Sequence, residues 1–192
     1  AGAGVAGLAV AFAAQDTIAN FFGSVMLLLD RPFQLGDIVK LSGFTGKVEN
    51  IGLRSTRIRT GDGHVVNLPH KSVANEQIEN ITERPSIKTV FNLDLTYDTT
   101  PAQMQQAIAI LGEIFANHEC SKPNDPPKFM FTEFKTYSLN LMAVAWFHNQ
   151  DYWTHMEWKH RMNLEILKRF NDAGLKFAFP TTTLDWAGPK GQ

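Results

Sequence analysis

Cysteine is all but missing from this sequence: Cys120 stands alone in 192 residues. No internal disulfide can staple the fold, a usage that fits a reducing compartment. Beside His118, a lone thiol of this kind reads as inert rather than catalytic. An excess of either charge is missing too. Lys and Arg number 18 against 19 Asp and Glu, for a formal net charge of −1, and no long basic run gives the electrostatic footprint of nucleic-acid binding. Arg54, Arg57, Arg59 and Lys47 sit near Glu49 and Asp62, which makes them solvated or ion-paired strand residues. There is no Gly-rich phosphate loop, no nucleophile elbow and no carboxylate pair placed for acid–base work. His155 and His160 share a helical segment with Glu157 and Glu165, but not at H-E-x-x-H spacing. Neither an enzyme, a metal, a cofactor nor a nucleic-acid partner is therefore expected.

What the chain does have stands at its beginning. "AGAGVAGLAVAFAA", residues 1–14, carries no polar side chain. As a helix it rises about 21 Å, short of the roughly 30 Å hydrocarbon core of a bilayer, so further upstream residues are expected to complete a span. A signal peptide is the competing reading, with Ala11-Phe12-Ala13 as an A-x-A site. Against it, no basic region precedes the segment, and a second apolar run, "IANFFGSVMLLL", follows at once.

Three zones follow one another. Residues 1–30 hold two apolar helical patterns separated at "QDT", where Asp16 or Thr17 is a natural N-cap, so a bend is expected there. "DRPF" ends the second pattern, because Pro32 restricts Arg31 to extended geometry. Residues 31–85 turn to period two in "GDIVKL", "GKVENIGLRSTRIRT", "GHVVNLP" and "EQIENIT", with an Asp-Gly hairpin turn in "TGDGH". They predict a small antiparallel barrel or sandwich. Residues 86–180 read strand, helix, strand, strand, helix, a βαββα sandwich with both helices on one face. Asp98 to Pro101 caps its first helix and Gly174 closes its second. Trp146, Trp153 and Trp158 read as core or interface packing of this zone. Residues 181–192 add a short strand, "TTTLDW", and a tail.

On a helical wheel, Val5, Leu8 and Phe12 fall within about 60° of one another. Gly4, Gly7 and Ala11 flank that stripe on one side; Gly2, Ala6, Ala9 and Ala13 flank it on the other. Each glycine costs roughly 1 kcal/mol relative to Ala in a helix, which asks for a gain from close packing. Small residues on both flanks suit a cyclic ring in which every copy touches two neighbours. Leu8 and Phe12, pointing inward, then form two stacked apolar collars that exclude water and ions. The same pattern also suits an Ala/Gly-rich helix that pairs once with a neighbour, and the wheel leaves both open.

The stretch "GLAVAFAAQDTIANFFGSVMLLLDRPFQLGDIVKLSGFTGKVENIGLRSTRIRTGDGHVVNLPH" resembles the pore helix and β domain of the small-conductance mechanosensitive channel (MscS) family. The resemblance runs on to "FAFP" at 177–180, and "QDTIANF", "DRPFQLGD" and "RSTRIRTGDG" are its most specific parts. It implies a homo-oligomeric channel, typically a heptamer, in the cell (inner) membrane. Several membrane helices precede the pore helix, which kinks and continues as an amphipathic helix. From about residue 31 onward the chain is cytoplasmic and builds a hollow vestibule. The resemblance places Leu8 and Phe12 at the pore seal, Gln15 and Asp16 at the kink and pore mouth, and Ser24 at a second hinge. Three departures stand out: Asp16 replaces the family's common kink Gly, Phe12 a common Leu, and His70 the Asn that often follows the proline.

The expected fold is thus a membrane pore helix with an amphipathic continuation, a small all-β (Sm-like) barrel domain and an α+β (βαββα) sandwich domain. The expected function is a mechanosensitive channel subunit, opened by membrane tension in hypo-osmotic stress to pass ions and small solutes through a Leu8/Phe12 gate. Membrane lipid, permeating ions and further copies of the chain are its partners. The alternative is a soluble or peripheral ring-forming Sm-like binding or scaffold protein.

Overall fold

The structure, a computed structural model, describes residues 2–116, 122 and 124–180. The expected strand and tail at 181–192, and Cys120 with His118, lie outside the described residues. The chain divides into two compact units, Ala1–Arg84 and Pro85–Gln192.

The first unit opens with α1 (Gly2–Asp30), 29 residues without interruption. No second helix starts at "QDT", so the N-cap expected at Asp16 or Thr17 is not made. An N-cap is needed only where amides lack partners, and Asp16 in mid-helix finds the ladder already made. Its carbonyl instead accepts a bond from Asn20 Nδ2 at 2.8 Å. The helix stops at Arg31, which is not extended as expected but left-handed, with φ 45°. In that conformation its N–H still reaches Leu27 O at 3.0 Å, a helix-ending motif that Pro32, lacking an N–H, cannot prolong.

Five strands follow: β1 (Ile38–Leu41), β2 (Phe44–Ile51), β3 (Ser55–Thr60), β4 (Val65–Pro69) and β5 (Glu79–Asn80), with a short helix α2 (His70–Val73) before the last. They form one antiparallel sheet in the order β4-β3-β2-β1-β5. Among the described residues no ladder joins β4 to β5, so the sheet has two edges. The long run "GKVENIGLRSTRIRT" is not one strand: it folds back between β2 and β3, with Gly52 N–H on Ser55 O at 3.0 Å. "EQIENIT" shrinks to two strand residues. Asn80 turns its side chain to Pro32 O and the Asp37 carboxylate, at 3.2 and 3.0 Å, and such side-chain bonds compete with the ladder. The β3–β4 hairpin uses three loop residues, 61–63, with Gly63 at φ 86° and its N–H on Thr60 O at 2.9 Å. Alternating Val39, Leu41, Val48, Ile58 and Leu68 bury one face of the sheet with Phe33, Val73 and Leu27 of α1.

The second unit comprises β6 (Ile87–Leu95), α3 (Pro101–Ala116), β7 (Lys128–Phe134), β8 (Leu139–Phe147) and α4 (Tyr152–Asp172). Its sheet runs β6-β8-β7, all antiparallel. Phe91, Leu95, Leu141, Ala143, Ala145 and Phe147 share one face and pack with Leu111 and Phe115 of α3 and with Trp158, Ile166 and Phe170 of α4. Both helices therefore lie on that face. Thr100 and Gln103 cap α3 reciprocally: Gln103 N–H donates to Thr100 Oγ1 at 3.3 Å and Thr100 N–H to Gln103 Oε1 at 2.9 Å. Gly174, at φ 71°, closes α4 while Leu175 N–H reaches Phe170 O at 2.9 Å. Trp158 is buried, Trp146 half-buried and Trp153 exposed. His155 bonds Thr89 Oγ1 at 2.7 Å.

Candidate functional site

The helix α1 changes character along its length. In its first half, Leu8 is 63% and Phe12 74% exposed, and a Cβ added at Gly4 or Gly7 meets nothing within 4 Å. Ala11 and Ala13 are exposed as well. Leu8, Phe12 and the small residues Gly4, Gly7 and Ala11 beside them are thus open among the described residues. The side-chain surroundings of Gly2, Val5, Ala6 and Ala9 lie outside the described part of the structure.

The second half is seated on the β domain. Asn20, Gly23, Ser24 and Leu27 recur at helical spacing, and the last three are buried. A Cβ at Gly23 falls 2.7 Å from the carbonyl oxygen of His70, so only glycine lets α1 approach α2 this closely. At the next residue the seam is polar. Ser24 Oγ lies 2.8 Å from Asn20 O, 2.5 Å from Leu53 O and 2.7 Å from His70 Nδ1. The other ring nitrogen, Nε2, meets Thr56 Oγ1 at 3.0 Å. Ser24, Thr56 and His70 are each buried, and burial pushes the imidazole's pKa below its ordinary value. At the rim, Lys71 N–H donates to Asn20 Oδ1 at 3.0 Å and Lys71 Nζ reaches Asp16 Oδ1 at 2.5 Å.

The opposite side of this half is apolar and open: Phe21, Phe22, Leu28 and Leu29 are exposed. By length and composition Val10–Asp30 qualifies as a membrane span. Ser24, expected at a hinge, sits where the helix is tied most firmly, and α1 passes it unbroken. Gln15 and Asp16 lie in mid-helix, both exposed, with the Asp16 carboxylate paired to Lys71. Across β2 and β3, Arg59 grips Glu49 at 2.5 and 3.1 Å. The hydrogen bond from Arg59 lowers the Glu49 pKa.

Sequence reasoning missed Gly23, Thr56, His70 and Lys71 as one constellation. Two signals were there to use: the Asn20, Gly23, Ser24, Leu27 spacing, which marks a packed face, and the uncommon histidine after Pro69.

A long apolar helix fastened to an antiparallel β domain, followed by a βαββα unit, defines the class of chain. The family model for the β domain of mechanosensitive ion channels matches residues 16–83, and that for the C-terminal part of the mechanosensitive ion channel MscS matches residues 89–177. Small-conductance mechanosensitive channel MscMJ of Methanocaldococcus jannaschii is 39% identical over 184 residues, covering 96% of this chain and 52% of that protein. Low conductance mechanosensitive channel YnaI of Escherichia coli is 30% identical over 186 residues, covering 94% and 53%. The crystal structure of Helicobacter pylori MscS in its closed state superposes with a TM-score of 0.79 at 27% identity, over 98% of this chain and 72% of that one. Arabidopsis thaliana MSL1 shares the fold, with a TM-score of 0.82 at 20% identity over 93% and 64%. The chain belongs to the MscS family of mechanosensitive ion channels. It spans about half the length of the curated relatives it matches.

Proposed function

We propose that this chain is the pore-lining and cytoplasmic part of a tension-gated channel subunit. The observation that carries the reading is the contrast within α1: exposed Leu8 and Phe12 with open space at Gly4 and Gly7, continuous with a segment anchored to a folded domain. Copies of the first half pack side by side through Gly2, Gly4, Ala6, Gly7, Ala9, Ala11 and Ala13. Leu8 and Phe12 then close the central hole as apolar collars. The ring is a homo-oligomer, a heptamer by likeness to the family, in a cell membrane crossed also by upstream helices, with residues from about 31 onward on the cytoplasmic side. Membrane tension favours the state of larger in-plane area, so the helices separate, the collars widen and wet, and ions and small solutes pass during hypo-osmotic stress. The exposed Phe21, Phe22, Leu28 and Leu29 face lipid.

Single-channel recording of the full-length protein in liposomes under suction tests this. Phe12→Ser is expected to open at lower tension than wild type, because a polar collar holds water in the narrow state. A threshold equal to wild type rejects the gate. Release of the protein from membranes by high salt alone, without detergent, favours the peripheral ring instead.

A further inference from the structure

One buried imidazole ties α1 to two parts of the β domain, and counting protons decides the direction of each bond. Ser24 has a single hydroxyl proton, and two carbonyl oxygens compete for it, Leu53 O at 2.5 Å and Asn20 O at 2.8 Å. The contact with His70 Nδ1 at 2.7 Å is then made by the ring, Nδ1–H donating to Ser24 Oγ. This leaves Nε2 as the bare nitrogen, accepting from Thr56 Oγ1 at 3.0 Å. The neutral ring is satisfied on both sides.

A second proton undoes this arrangement. Nε2–H faces an oxygen that can accept it only by turning its own hydrogen away, and Thr56 Oγ1 has no other partner among the described residues. The charge also arrives on a residue 1% exposed, where an imidazolium is poorly solvated. Charged groups on the surrounding elements offer no rescue. On α1 they are Asp16, held by Lys71 and 77% exposed, and Asp30 at the exposed helix end. Before and along β3 stand Arg54, Arg57 and Arg59, of the same sign as the imidazolium, and on α2 stands Lys71 itself. Glu49 on β2 is taken by Arg59.

We propose that His70 is the positioning residue that seats the second half of α1 on the β domain, and that its protonation releases the helix, making the seam an acid-sensitive latch. The effect on gating rests on the reading of α1 as a pore helix; the latch itself rests on the seam alone. The sign follows from burial. A released His70 titrates near its ordinary value of 6.5, and the seated ring below it. The histidine's contribution to seating is therefore complete above that value and is lost progressively as pH falls from it toward the lowered one.

The test is hydrogen–deuterium exchange of the full-length protein in lipid nanodiscs at about pH 7.5 and about pH 5.5, corrected for intrinsic exchange, on wild type and His70→Asn. Asparagine keeps a donor and an acceptor but does not titrate. Wild-type protection at residues 20–25 is expected to fall by up to about tenfold on acidification, because about pH 5.5 lies roughly one pH unit below the ordinary imidazole value; His70→Asn is expected to hold constant. Wild-type protection unchanged between the two conditions, or an equal loss in the variant, overturns the latch. If His70→Asn does not fold, the wild-type ring nitrogen shifts decide. They must report the neutral Nδ1–H form at the higher pH and titrate together with the loss of protection; titration without that loss overturns the proposal. Patch recordings separate the two readings. A wild-type current whose pH-dependent threshold survives His70→Asn sinks the latch, whereas absence of tension-activated current sinks the pore and leaves the exchange result to judge the latch.

Discussion

The two halves of α1 use small residues for opposite reasons. At Gly4 and Gly7 an added methyl meets open space within the chain, and at Gly23 it meets a backbone carbonyl 2.7 Å away. Among the described residues nothing crowds Gly4 or Gly7, whereas at Gly23 smallness is dictated by His70. The neighbouring polar residues divide the same way. Gln15 and Asp16 are exposed, and Ser24, only two turns further on, is buried and bonded to three atoms. A single uninterrupted helix is thus free at one end and fastened at the other. The proposed gate asks for that division between its wall and its base.

The sharpest way to break the contrast is to make both halves meet the same substitution. Gly23→Val drives a branched side chain into backbone that cannot yield, and is expected to cost about 3 kcal/mol and to unseat the helix. Thermal unfolding and protease sensitivity near residue 30 read the loss. Gly7→Val, in the open half, is expected to leave both measurements at wild-type values while changing subunit assembly or the tension threshold. Equal destabilisation by the two variants contradicts the division.

A smaller effect is expected from Ser24→Ala. It leaves the His70 Nδ1–H and the Leu53 carbonyl without a buried partner, at about 1–2 kcal/mol. Thermal unfolding at neutral pH measures it. Ser24→Thr, which keeps the hydroxyl, is the control, and a Tm for Ser24→Ala equal to wild type removes the seam as a source of stability.

These residues also show what a sequence discloses. That the first half of α1 is helical was legible because helical periodicity is set by neighbours within two turns. The period-two strands, the caps at Thr100 and Gly174 and the βαββα order were legible for the same local reason. The N-cap expected at Asp16 is not made, because a capping residue signals a helix start only when nothing helical precedes it. Arg31 misled similarly: the rule for residues before proline disfavours right-handed helix, and the chain took the left-handed exit instead. The seam was hidden for a different reason. Ser24 meets His70 across 46 residues and Leu53 across 29, and periodicity carries no information over such separations. The Asn20, Gly23, Ser24, Leu27 spacing marked only that this face is packed, and the histidine after Pro69, where the resemblance gives asparagine, hinted at what it packs against.

The smallest expected effect lies at the junction of the two halves. Lys71 Nζ holds Asp16 Oδ1 at 2.5 Å, yet the two side chains are 47% and 77% exposed. Such a pair contributes below about 1 kcal/mol, so Lys71→Gln is expected to leave unfolding nearly unchanged. Its consequence is electrostatic. If the first halves ring a pore, every copy places one Asp16 near the mouth, and in this structure each carboxylate is offset by its own lysine. Lys71→Gln uncovers the ring of carboxylates and is expected to shift the reversal potential in asymmetric salt toward cation preference. Asp16→Asn on that background is expected to bring it back, and Asp16→Asn alone, leaving Lys71 uncovered, to shift it the opposite way. Raising ionic strength shrinks every one of these shifts, because the pair is open to solvent. A reversal potential indifferent to all three variants places Asp16 away from the ion path and confines its role to the rim of the seam.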